Sequence, residues 1–152
     1  MSQTSQPMKW HNFLVKIGLP LGAIANIAFA VLFITGYYYD SQGGSSATVY
    51  RYYKSLQGLD IIYGLCLALC GVFTWQTRCA LKDYRKSAPS MVMVLYGMNL
   101  ATTLMYAVGI LLVINARDFS SLSEYVTTIT SCILGIALHK VYYQKRAHMF
   151  VR

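Results

Sequence analysis

The stretch Ser90–Ile114 reads SMVMVLYGMNLATTLMYAVGILLVI and contains no charged residue. A bilayer core about 30 Å thick needs about 20 mostly apolar residues in a helix, so this segment reads as a transmembrane span. Three other stretches follow the pattern. One runs from about Phe13 to Gly36, interrupted only by Lys16, and one from about Leu59 to Thr77, with Asp60 at its mouth. The last runs from about Tyr125 to Tyr143 and is diluted by Thr127, Thr128, Thr130 and Ser131, which predicts that it faces protein rather than lipid. Residues 1–152 are therefore expected to form one domain. Its fold class is all-α, an integral membrane four-helix bundle with spans at about 13–36, 59–77, 90–114 and 125–143.

Composition points the same way. Hydrophobic residues make up 56% of the chain and charged residues 12%, about half the charged share of a soluble domain. The first run is too long for a signal-peptide core and lacks a small-x-small cleavage pattern near Ile34-Thr35-Gly36, so it is expected to be a retained helix.

The net charge of +8 does not read as a nucleic-acid signal. Its basic residues flank apolar runs, and no recognition helix or aromatic-interleaved basic groove is present. Lys9, Lys16, Arg78, Lys82, Arg85, Lys86, Lys140, Lys145, Arg146 and Arg152 fall on one side of the four spans. Arg51, Lys54 and Arg117 fall on the other. This bias places both termini in the cytoplasm and makes the plasma membrane, crossed several times, the expected location. Trp10, Trp75, Tyr142 and Tyr143 then lie near the inner interface, and Tyr37, Tyr38, Tyr39 and Tyr125 near the outer one, as amphipathic rings prefer.

Only the first outer loop is long. It opens on a flexible turn, Asp40-Ser41-Gln42-Gly43-Gly44-Ser45-Ser46. Val49, Tyr52, Tyr53, Leu56 and Leu59 then recur at helical spacing, with Thr48 as the expected N-cap, which predicts a short amphipathic helix on the outer surface.

Helices in lipid associate through small residues and polar contacts. Gly18, Gly22, Asn26 and Ala30 form one stripe, Gly64, Ala68 and Gly71 a second, Gly97 and Ala101 a third, and Thr127, Ser131, Gly135 and His139 a fourth. These faces are expected to meet. Pro20 removes a backbone hydrogen bond within the first span and predicts a kink or hinge there.

Four polar residues at span depth are the candidates for chemistry: Asn26, Asn99, Asp60 and His139. Asn26 and Asn99 lie at similar depths and predict either an interhelical hydrogen bond or a polar path. Asp60, at the outer edge, is expected to be a solvated cap or a partner of Arg51 or Lys54 rather than a proton carrier. His139 beside Lys140 is expected at the inner interface. With His11 it makes a poor axial pair for haem. Cys66 and Cys70 share one helix face, deeper than redox cysteines in four-span oxidoreductases; Cys79 and Cys132 complete the thiols, and all four read as small buried hydrophobes. No metal site, cofactor, phosphate loop or catalytic triad is expected.

Lys9-Trp10 with Phe13-Leu14, Leu59-Asp60-Ile61-Ile62-Tyr63-Gly64, Leu95-Tyr96 and Lys140-Val141-Tyr142-Tyr143-Gln144-Lys145-Arg146-Ala147 with Phe150-Val151 carry a resemblance. They are similar to uncharacterised small four-span membrane proteins of Gram-positive bacteria. The resemblance implies the same fold and a plasma-membrane location and transfers no catalytic residue. The expected function is non-enzymatic: helix–helix association within the bilayer, with itself or a membrane-protein partner. The alternatives are a small channel or carrier lined by Asn26, Asn99, Thr102, Thr103 and the hydroxyls of the last span, and a membrane thiol or haem redox protein.

Overall fold

A computed structural model of the chain describes residues 8–114 and 122–150; Arg117, Val151 and Arg152 lie outside the described residues. Every regular element among them is helical. Three stretches are long and apolar enough to cross a membrane: Lys9–Thr35, Lys54–Lys82 and Ala88–Val113. Their exposed faces carry side chains such as Leu21, Ile24, Leu65, Leu69, Val108 and Leu112, an apolar belt that suits lipid far better than water.

The first stretch joins α1 (Lys9–Phe13) to α2 (Leu19–Thr35) through a π-helical turn, Leu14–Gly18. In that turn the N–H of Leu19 bonds the carbonyl of Leu14, five residues back. The same register would pair the Val15 carbonyl with residue 20, and Pro20 has no N–H. Arg78 supplies the missing donor, its Nε bonding the Val15 oxygen at 3.0 Å. The guanidinium also lies 4.7 Å over the Trp75 ring. Pro20 is thus absorbed by a π-turn and a cross-helix hydrogen bond.

Gly36 ends α2 in the left-handed region, at φ 76°. A Cβ there would fall 2.9 Å from the Tyr50 ring, so only glycine lets the following segment fold back. That segment forms α3 (Tyr37–Ser41) and α4 (Ser46–Tyr52). The Asp40 carboxylate accepts from the Ser46 N–H at 2.8 Å and its hydroxyl at 3.2 Å, starting α4. Two expectations are corrected. Asp40 and Ser41 are helical, and α4 begins at Ser46, ahead of Thr48. It also stops at Tyr52, so Leu56 and Leu59 belong to the next helix.

The remaining long helices are α5 (Lys54–Lys82), α6 (Ala88–Val113) and α7 (Leu122–Gln144). α5 closes on a Schellman motif, with the Tyr84 N–H bonded to the Leu81 oxygen and the Arg85 N–H to the Ala80 oxygen. Tyr84 takes the left-handed position usually held by glycine, at φ 53°, a cost of about 1–2 kcal/mol. Its ring stacks on His11 at 5.1 Å and meets Phe150 at 5.7 Å, which offsets that strain.

α2 packs on α5, α5 on α6 and α6 on α7, whereas α2 and α7 barely touch. A Cβ on Gly64 would lie 2.9 Å from the Ala30 oxygen, and one on Gly71 3.3 Å from the Ala23 oxygen. The two backbones approach there because both residues lack side chains. Ala68, between them, packs on the outer cluster, and Gly22 makes an ordinary contact with Thr74.

Other small residues depart from expectation. Gly97 borders open space and Ala101 is exposed. The α6–α7 contact instead seats the Tyr96 ring over Gly135, which turns the Gly97 stripe outward. Gly18 meets only Leu14 and Phe13 of its own stretch. Thr127, Thr128, Thr130 and Ser131 are exposed, against the expectation that they face protein. The hydroxyls of Thr127 and Thr130 bond the carbonyls of Ser123 and Val126 one turn back, each at 2.8 Å, so they need no partner from another helix.

Two buried clusters mark the ends of the molecule. Leu14, Leu81, Ala88, Val92, Tyr143 and Phe150 form one; Ala30, Phe33, Leu56, Leu67, Tyr106 and Ile110 form the other.

The Pro20–Arg78 arrangement is testable by thermal unfolding in detergent. Arg78→Leu leaves the Val15 carbonyl without its donor and should cost about 1–3 kcal/mol. Pro20→Ala restores a backbone N–H and should recover most of that loss. An equal loss in the Pro20→Ala background would disprove this pairing.

Candidate functional site

Asp60 lies in the second turn of α5, and the outer helices fold over it. It is 0% exposed. The Tyr39 and Tyr50 hydroxyls each donate to its Oδ2 at 2.9 Å, and the Tyr106 hydroxyl donates to Oδ1 at 2.7 Å. The donors come from α3, α4 and α6. Three O–H groups thus converge on a side chain whose ionised form only accepts.

This corrects the expectation of a solvated or ion-paired Asp60. Arg51 and Lys54 are exposed, and the ion pair among the described residues is Arg85–Asp83. The span boundary put Asp60 at the surface, but α3 and α4 cover that surface. Taking a carboxylate out of water without a positive partner costs on the order of several kcal/mol, and hydroxyl donors offset only part of it.

Aromatic rings pack around the cage. Tyr63 stacks on Tyr106 with centroids 4.0 Å apart, and Phe33 stands edge-on to both at 4.9 and 5.4 Å. Tyr38 stacks on Phe33 at 4.5 Å.

Below the cage is a cavity of about 270 Å³ lined by Phe33, Tyr63, Tyr106, Asn26, Asn99, Thr103 and Thr128, among others. A second cavity of about 420 Å³ shares Asn26, Asn99 and Thr128 and continues toward Trp10 and Phe13. Together they make a groove along the open side, walled by α2 and α7 and floored by α6. Asn26 and Asn99 meet there without the expected interhelical bond. The Asn99 amide donates to the Leu95 carbonyl of its own helix at 2.9 Å, and the Asn26 amide has no hydrogen-bond partner among the described residues.

At the far end, His139 is buried. Its Nδ1 donates to the Gly135 carbonyl at 2.7 Å, and its Nε2 accepts from the Trp10 indole at 3.3 Å. That pattern assigns the ring proton to Nδ1. His11 is also buried, 3.4 Å from the Tyr143 hydroxyl. Cys70 is buried with its Sγ 3.9 Å from the Thr102 hydroxyl, and Cys66 is half-buried. No group of three or more His, Cys, Asp or Glu among the described residues is placed to hold a metal.

Sequence reasoning missed Tyr39, Tyr50, Tyr63 and Tyr106 as site residues. Tyr39 read as part of an interfacial belt. A signal was available for Tyr106, whose hydroxyl lies within a charge-free span and needs a partner. Comparisons with protein-family models, curated proteins and solved structures found no match.

Burial and the neighbouring Asp60 carboxylate hold the Tyr39 and Tyr50 phenols well above the ordinary tyrosine range. A phenol raised in the folded state contributes its full stabilisation below its unfolded value near pH 10. That contribution is lost as pH climbs from there through the folded value. Thermal stability should therefore fall above roughly pH 10, and less steeply in the Tyr39→Phe, Tyr50→Phe double variant. Each substitution alone should cost about 1.5–3 kcal/mol at neutral pH, the worth of a hydrogen bond to a charged group. An identical pH profile in the double variant would refute the assignment.

Proposed function

We propose that the chain is a four-span protein of the plasma membrane, both termini cytoplasmic, that holds a small amphipathic molecule in the groove between α2 and α7 without catalysing a reaction. The carrying observation is the unpartnered Asn26 amide, set in a groove with Asn99 and Thr103 on the side the helices leave open. Polar groups at such a depth are costly unless something bonds them, and lipid tails cannot. An occupant with both polar and apolar parts answers that cost.

Several features support the topology. α7 has 23 residues, about 34 Å of helix at 1.5 Å per residue, enough to span. Lys9 and the basic residues around the α5–α6 turn and the α7 terminus gather at the end that holds His11, Tyr84 and Tyr143, the pattern of a cytoplasmic face.

With Cys66, Cys70, Cys79 and Cys132 replaced by alanine, a cysteine introduced by Asn26→Cys should react with a water-soluble thiosulfonate in membranes. A cysteine introduced by Leu21→Cys, on the exposed apolar belt, should not. Lack of reaction at position 26 would sink the groove reading.

A second reading, docking of a membrane-protein partner or a second copy, is favoured by one observation: the Gly97–Ala101 face is left uncovered. The glycines at 64, 71 and 135 are already filled by the chain's own side chains or backbone. If that reading holds, Gly97→Leu should abolish any dimer seen by native mass spectrometry; an unaltered dimer, or a monomer throughout, counts against it.

A further inference from the structure

The geometry points to an organic ammonium ion as the groove's ligand, its positive group held at the aromatic end beneath the Asp60 cage. This inference rests on the groove reading and names its ligand class. Three features converge. The wall nearest the cage carries the rings of Phe33, Tyr63 and Tyr106, and aromatic rings attract cations. One of those rings, Tyr106, donates its hydroxyl to Asp60 at 2.7 Å. Donation to a carboxylate enriches the phenol in electron density and makes it a better cation host. Asp60 itself carries no ion pair among the described residues, and its carboxylate lies one hydroxyl away from an open cavity.

The lower groove fits the rest of such a molecule. Asn26 and Asn99 offer hydrogen bonds where the two cavities meet, and Trp10, Phe13 and Leu14 offer an apolar end. A cation with a polar linker and a long apolar tail matches that order. A neutral molecule of the same shape would fill the space without answering the charge.

The full chain is purified in a maltoside detergent, which carries no ammonium group, and titrated by calorimetry with choline. A parallel titration uses choline's neutral carbon isostere, with tert-butyl in place of trimethylammonium. Choline should bind roughly tenfold more tightly than the isostere. Asp60→Asn should shrink choline's advantage over the isostere and leave the isostere unchanged; an undiminished advantage overturns the part given to Asp60. The wild-type comparison needs no variant, so a misfolded Asp60→Asn protein does not leave the question open. Equal affinity for both probes overturns the ammonium assignment and leaves the groove standing. Binding of neither also overturns it, and reactivity at position 26 then decides separately whether the groove exists.

Discussion

Tyr39, Tyr50 and Tyr106 bring three helices to the carboxylate of a fourth, and the outer half of the molecule is organised around that point. Asp60 at the start of α5 draws α3 and α4 down onto the helix ends through the Tyr39 and Tyr50 hydroxyls. Gly36 makes the approach possible by turning the chain where any side chain would strike Tyr50. The Asp40 carboxylate then starts α4 at the angle that aims Tyr50 inward. The aromatic packing of Phe33, Tyr63 and Tyr106 follows from the cage, because a phenol held by its hydroxyl has a ring fixed in orientation.

The opposite end solves a similar problem by other means. A backbone carbonyl in an apolar setting must find a donor, and Pro20 removes the one Val15 would have used. Arg78 meets that need while its stem and guanidinium lie against Trp75. His139 is satisfied on both ring nitrogens and His11 on one. Both ends are therefore tied by long-range polar contacts, and the groove lies between them, where Asn26 makes none among the described residues.

That contrast gives the groove its meaning. Where α2 meets α5, glycines let backbones touch, and where α6 meets α7, an aromatic ring fills the gap over Gly135. Between α2 and α7 neither device is present. Asn26, Asn99 and Thr128 stand there instead, residue types poorly suited to lipid and well suited to a polar guest.

The long helices, their apolar faces and the grouping of basic flanks were legible in the chain itself, because hydropathy and charge are local properties that a bilayer reads directly. So were the polar positions Asn26, Asn99, Asp60 and His139. Their partners were not. Asp60 looked solvated because its burial depends on Tyr39 and Tyr50, which lie 21 and 10 residues away along the chain in a loop whose helical spacing announced a helix but not which of its side chains turn inward. Small-residue stripes told which helices could approach closely but not which stripe would be used: Gly64 and Gly71 were buried against α2, while Gly97 was turned away by the seating of Tyr96. Sequence by itself determined that the chain is helical, with stretches long and apolar enough to cross a membrane, since each residue's transfer energy is its own. Only the tertiary structure decided which polar groups are caged, which are capped and which face an open groove, because a hydrogen bond belongs to two residues and its second partner is chosen by packing.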